Sequence, residues 1–171
     1  MSVDRLRADL DAEIGFRRAD EVRSEAAPST LRELLAFRLA NEEYAVDIAA
    51  VEEVMKPRVV TEVPFAPAFC PGIVSLRGRI VTIMDLRRRL GLPAGELGRG
   101  ARIVVAHDAG RTVGLLVDGV TGVVRLPAGA VEPVPVVVGG VDGEFLHGLG
   151  RIDGRLLILL NLPRVLEFVV E

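Results

Sequence analysis

Residues 72–90 read GIVSLRGRIVTIMDLRRRL, and residues 148–166 read GLGRIDGRLLILLNLPRVL. Set together without a gap, Gly72/Gly148, Gly78/Gly154, Arg79/Arg155, Leu86/Leu162, Arg88/Arg164 and Leu90/Leu166 coincide, and Asp85 stands over Asn161. In each copy two short apolar runs flank a turn, Arg77-Gly78-Arg79 or Asp153-Gly154-Arg155, and the Asp-Gly pair is a strong hairpin signal. Asp85 and Asn161 carry side-chain oxygens that accept the first free amides of a helix. The pattern therefore predicts a short helix after each hairpin, over 85–90, where Gly91 and Pro93 stop it, and over 161–168.

The duplication extends upstream. Residues 44–54, YAVDIAAVEEV, set against 113–123, VGLLVDGVTGV, with few identities but corresponding apolar places. Two more hairpins are expected, one around 40–42 and one around 107–111. Each half then reads hairpin, connection, second hairpin, short helix. Strands this short cannot build an open sheet of useful area, whereas closing a small barrel removes the exposed edges. The expected fold is mainly β, with one small barrel per repeat, at about 34–92 and about 100–160, and a C-terminal helix over 161–169. Residues 93–100 read as a polar linker and 127–143 as a long Val/Pro/Gly-rich connection. Val3, Leu6, Leu10 and Ile14, at spacings of three and four, predict an N-terminal amphipathic helix. Ala26-Ala27-Pro28-Ser29-Thr30 separates that extension, 1–30, from a domain over 31–171.

Composition agrees with a chain built to bind. Half of the 171 residues are hydrophobic, which supports a sizeable core, yet no apolar run is long enough to span a bilayer. The net charge of −3 and an aromatic content of 4%, with no Trp, argue against nucleic-acid binding. One cysteine, Cys70, cannot form an internal disulfide, and the N-terminus lacks the apolar core of a secretory signal, so a cytoplasmic setting is expected. Two histidines, His107 and His147, with one cysteine do not make a typical zinc site, and no metal or cofactor is expected. None of the four serines sits in a nucleophile elbow, and no glycine-rich phosphate loop is present. The adjacent acids Glu42/Glu43 and Glu52/Glu53 are expected to point apart along strands. Cys70 reads as a packed thiol, and the histidines as loop or strand-end residues.

After the N-terminal extension the chain resembles the CheW family of chemotaxis coupling proteins. The resemblance is carried by Glu42-Glu43-Tyr44-Ala45-Val46-Asp47-Ile48, Val51-Glu52-Glu53-Val54 and Pro67-Ala68-Phe69-x-x-Gly72-Ile73-Val74-x-Leu76-Arg77-Gly78. It continues through Ile80-Val81, Ile83, Asp85-Leu86-Arg87, Val117-Asp118-Gly119-Val120 and the stretch 146–161, and covers about residues 34–168. Ser75 stands where the family usually has Asn, and Thr82 where a Pro is common. The resemblance implies two intertwined five-stranded barrels and a non-catalytic adaptor. Its expected partners are the cytoplasmic tip of methyl-accepting chemoreceptors and the regulatory domain of a CheA-type histidine kinase, at receptor arrays on the inner membrane, without insertion into the membrane.

It also places the receptor contact at Arg77, beside Gly78 at a hairpin tip, where a guanidinium presents five donors. Gly72 and Gly78 are expected to serve backbone geometry. Ile48, Val51 and Val54 form an apolar row beside Glu53 that is either interior or lines a groove for a partner's helix. By the repeat, Leu115, Val117, Val120 and Val123 present the matching surface of the second barrel, for the kinase. A reading from another class is a small-barrel nucleic-acid binder using Arg77, Arg79, Arg87, Arg88 and Arg89.

Overall fold

In the computed structural model, Val3 and residues 31–168 are described. The predicted N-terminal helix lies outside these residues except at Val3, which is buried in the central core. The strands are β1 (Leu31–Leu39), β2 (Glu42–Asp47), β3 (Val51–Met55), β4 (Gly72–Leu76), β5 (Arg79–Asp85), β6 (Arg102–Asp108) and β7 (Arg111–Val117). They continue with β8 (Gly119–Pro127), β9 (Val131–Glu132), β10 (Val137–Val138), β11 (Val141–Asp142), β12 (Leu146–Ile152) and β13 (Arg155–Leu160). Helix α1 is Leu86–Arg89 and α2 is Leu162–Val165. No helix among the described residues is long and apolar enough to cross a membrane.

Two main sheets form, a six-stranded one ordered β8-β1-β2-β13-β12-β9 and a five-stranded one ordered β3-β6-β7-β5-β4, beside a small β10-β11 ribbon. The duplication is visible in them. Hairpin β1-β2 meets hairpin β12-β13 through a parallel β2/β13 contact, as β6-β7 meets β4-β5 through a parallel β7/β5 contact. The halves, however, exchange their first hairpins. β1-β2 joins the sheet of the second half and β6-β7 the sheet of the first, so the expected division into 34–92 and 100–160 does not follow the sheets. The five-stranded sheet takes 51–117, and the six-stranded sheet takes 31–47 with 119–160.

Exchange follows from where apolar side chains can be hidden. Along β1, Leu35, Phe37 and Leu39 enter a large core shared by both sheets, while the alternate Leu34 and Ala36 enter a second cluster with Ala45, Val124, Leu126, Leu157 and Leu159. All of that second cluster belongs to one sheet, so the sheet curls over its own outer face. The five-stranded sheet does likewise around Met55, Val74, Leu76, Val81, Ile83, Ile103 and Val105. Strands with both faces covered need near-continuous Val, Leu and Ile, which accounts for the composition. Each such side chain contributes roughly 1.5–3 kcal/mol.

The helices are as short as their caps allow. Asp85 and Asn161 accept from the backbone N–H of Arg88 and Arg164, at 3.4 and 3.3 Å. α2 stops well before the expected 169 because its last carbonyls are taken by side chains. Arg89 donates to the carbonyls of Val165 (2.9 Å) and Arg164 (3.2 Å), and Arg111 to that of Leu166 (2.9 Å).

Candidate functional site

The β4–β5 hairpin turns on Arg77 and Gly78, whose φ values of 49° and 82° are both left-handed, as a two-residue primed turn requires. This lifts Arg77 off the sheet, with its side chain 79% exposed. Its Nη1 lies 3.3 Å from Oε2 of Glu53, whose own side chain is only 14% exposed. Arg79 pairs in the same way with Glu52.

Glu52 and Glu53 lie on β3, one edge of the five-stranded sheet, and Arg77 and Arg79 in the β4–β5 hairpin on its other side, so these two ion pairs tie the two sides of the sheet together. Both acids reach the hairpin because a bulge shifts the β3/β6 register between Val51 and Glu53. The expectation that Glu52 and Glu53 point apart is thereby corrected: a bulge re-aims a side chain that simple alternation would send inward.

Gly72 acts by close approach, as expected. A Cβ there would lie 2.2 Å from the carbonyl oxygen of Thr61, whose backbone pairs with Ile73 in both directions at 2.9 Å. Gly78 has open space around it and is required only for its φ.

The apolar rows turn inward. Ile48, Val51 and Val54 are buried in the core shared by the two sheets, as are Leu115, Val117 and Val123. They line no groove, because the opposite sheet already covers that face. Val120 is half-buried against the same core. Of the anticipated contact residues, Arg77, Gly78 and part of Val120 remain open to a partner, with Glu53 largely shielded behind Arg77.

The arginines of the nucleic-acid reading do not form a patch. Arg87 embraces Asp118, with Nε 3.0 Å and Nη2 2.6 Å from Oδ2. Arg88 pairs with Asp85 at 3.4 Å. Arg89 is enclosed by Phe69, Phe145 and Phe168, with ring centroids 4.9, 5.0 and 5.3 Å from its guanidinium carbon. Asp118 was legible only as part of a motif. It also accepts the Ala40 backbone N–H at 2.7 Å, fastening the β1–β2 turn to α1.

An open cleft of about 560 Å³ is lined by Arg38, Ala40, Asn41, Glu42, Glu43, Thr121 and Arg155. Burial works to raise the Glu43 carboxyl pKa, but hydrogen bonds from Arg155 and Thr121, with the charges of Arg155 and Arg38, hold it below the usual carboxylate range. Cys70 is half-buried rather than core, and burial pushes its thiol up, away from the reactive thiolate. Among the described residues no group of three His, Cys, Asp or Glu side chains is placed to hold a metal ion.

Comparison with known proteins gives one family. A family profile described as "CheW-like domain" matches residues 33–169. The chain is similar to chemotaxis protein CheW of Rhizobium meliloti, 37% identical over 134 residues that span 78% of this chain and 86% of that protein. Against chemotaxis protein CheW of Klebsiella aerogenes it is 36% identical over 136 residues, 80% of this chain and 82% of that one. Among solved structures, the scaffolding protein TtCheW of Thermoanaerobacter tengcongensis superposes with a TM-score of 0.76 at 33% identity, covering 81% of this chain and 94% of that one.

Proposed function

The chain belongs to the CheW-like family, and from that premise we propose that it is a non-catalytic chemotaxis adaptor that joins the cytoplasmic tip of a chemoreceptor to the regulatory domain of a CheA-type histidine kinase. Its work is assembly: it holds two partners in a fixed relation at receptor arrays beneath the inner membrane. The observation that carries this reading is Arg77. Its guanidinium projects from a rigid turn, and the more buried Glu53 carboxylate behind it sets its direction. Among the described residues Glu53 is its ion-pair partner, which leaves most of its donors for carbonyls or carboxylates on a receptor's helical hairpin.

Co-sedimentation of the full chain with a receptor cytoplasmic fragment and the isolated kinase regulatory domain tests it. Ternary assembly at micromolar concentration is expected. A folded chain that captures neither partner would refute the proposal.

A further inference from the structure

The two halves of the chain meet as the subunits of a symmetric dimer meet. Thr82 on β5 lies beside Val113 on β7, and Ile158 on β13 beside Tyr44 on β2, the same parallel pairing with the halves interchanged. Reciprocity of this kind marks a two-fold axis. The axis passes close to Arg89. Phe69 and Phe145 are counterparts, since their carbonyls accept from the N–H groups of Asp85 (2.7 Å) and Asn161 (2.8 Å). The Arg89 guanidinium carbon lies 4.9 and 5.0 Å from their ring centroids. Arg89 also donates at 2.9 Å to the carbonyl of Val165, the residue that occupies its own place in the other repeat.

An axis has room for one guanidinium. Two first halves would bring two Arg89 side chains onto it, and two second halves would leave it to a pair of valines. A first half is therefore complementary to a second half and not to a copy of itself. The axis does not, however, require both to come from one chain. Four strand pairings join the halves, β1/β8, β2/β13, β3/β6 and β5/β7, and the second half of another copy reproduces each of them.

What keeps the halves within one chain is the connection over 91–100, of which every residue but Leu92 is exposed. Arg87 holds it. The Arg87 carbonyl accepts from the Leu92 N–H at 2.8 Å, its Nη1 donates to the Pro93 carbonyl at 3.3 Å, and its guanidinium leaves no room for a Cβ at Gly95. The same guanidinium grips Asp118 of the second half.

We propose that the chain trades halves with a second copy of itself through this hinge. In the resulting closed dimer, residues 31–90 of each chain complete a body with residues 101–168 of the other. Monomer and dimer differ only in the path of the hinge, so concentration during folding sets the balance between them. The dimer carries two Arg77 hairpins in one particle, which doubles the valency toward whatever that hairpin engages.

The test uses two variants of the full chain, Arg87→Asp in the first half and Asp118→Arg in the second. Each alone sets like charges against one another. A dimer that trades halves between the two variants gathers both changes in one body, where an ion pair re-forms, and leaves the other body native. Co-refolding from denaturant, read by light scattering and thermal unfolding, is expected to give a 1:1 dimer that melts above either variant refolded alone. The unaltered chain refolded at about 0.1 mM is expected to yield roughly a tenth of its mass as dimer, because a short flexible linker sets an effective concentration on the order of 1 mM. A mixture that stays monomeric overturns the inference, whether or not the single variants fold. So does a dimer that assembles on mixing chains already folded, which is a surface contact.

Discussion

Arg77 and Glu53 form an ion pair across the two sides of one sheet, 3.3 Å apart, with the acid largely shielded and the cation largely in water. The asymmetry gives the pair a direction. Glu53 is held in place by its strand, and the guanidinium leans on it while facing outward.

An exposed ion pair adds little to stability, so Arg77→Ala is expected to change the unfolding free energy by no more than about 0.5 kcal/mol. Receptor-fragment affinity is expected to fall roughly tenfold, the scale of a hot-spot side chain. Glu53→Gln should weaken it less, since the donors remain and only their aim is loosened. Titration of both variants against the fragment, beside denaturant melts, checks this. An unfolded Arg77→Ala protein would make the arginine structural.

Gly72→Ala places a methyl where the Thr61 carbonyl now sits. The segment over 56–71 must then leave the edge of β4 or the strand must shift, at a cost of about 2 kcal/mol or more. Urea unfolding should show the loss, and amide exchange should show Ile73 deprotected first. Unaltered exchange at Ile73 would contradict the close approach.

Tyr44 is fully buried, and its hydroxyl has no partner among the described residues. Tyr44→Phe is therefore expected to stabilise the protein by about 1 kcal/mol at neutral pH. Burial, with a smaller part from the charge of Glu42, pushes the phenol up to about 12 from its ordinary 10. Between those values the unfolded chain loses this proton while the folded chain keeps it. Stability should accordingly fall as pH rises from about 10 to 12. Denaturation midpoints across that range should be flatter in Tyr44→Phe. Equal slopes in the two proteins would exclude the buried phenol as the cause.

Arg89→Lys keeps the charge and loses the fork. An ammonium on a flexible stem cannot lie flat among Phe69, Phe145 and Phe168 while serving two carbonyls. A loss of about 1–2 kcal/mol is expected, with faster amide exchange over 162–168. Full retention of stability would reduce the aromatic enclosure to coincidence.

The hairpins, the two helix caps and the duplication were legible because each is written in neighbouring residues: Asp85 and Asn161 cap as read, and Arg77-Gly78 and Asp153-Gly154 both turn with positive φ. The exchange of hairpins was not legible in the residues and entered only as the intertwining that the family resemblance implied, because periodicity tells which face is buried and not which strand will bury it. The same limit explains Ile48, Val51, Val54 and Leu115. A row of valines reads alike whether it faces a partner or the other half of its own chain. The arginine partners were hidden for a related reason, since Arg87 meets Asp118 and Arg89 meets Val165 across 31 and 76 residues. Glu53 and Arg77 were each singled out, but the bulge that joins them leaves no mark in local spacing.

The exchanged hairpins also set the order in which the molecule can be made. Glu43 on β2 is bonded by Thr121 and Arg155, 78 and 112 residues further along. At roughly 5–20 residues per second on a ribosome, the β1–β2 hairpin waits on the order of ten seconds for its last neighbour, with both edges open. Neither half can complete a sheet alone, so a chain cut between them yields two sticky fragments rather than two small domains. Loss of the last strand, β13, opens the edge of β2, and damage at the C-terminus is therefore felt in the first hairpin.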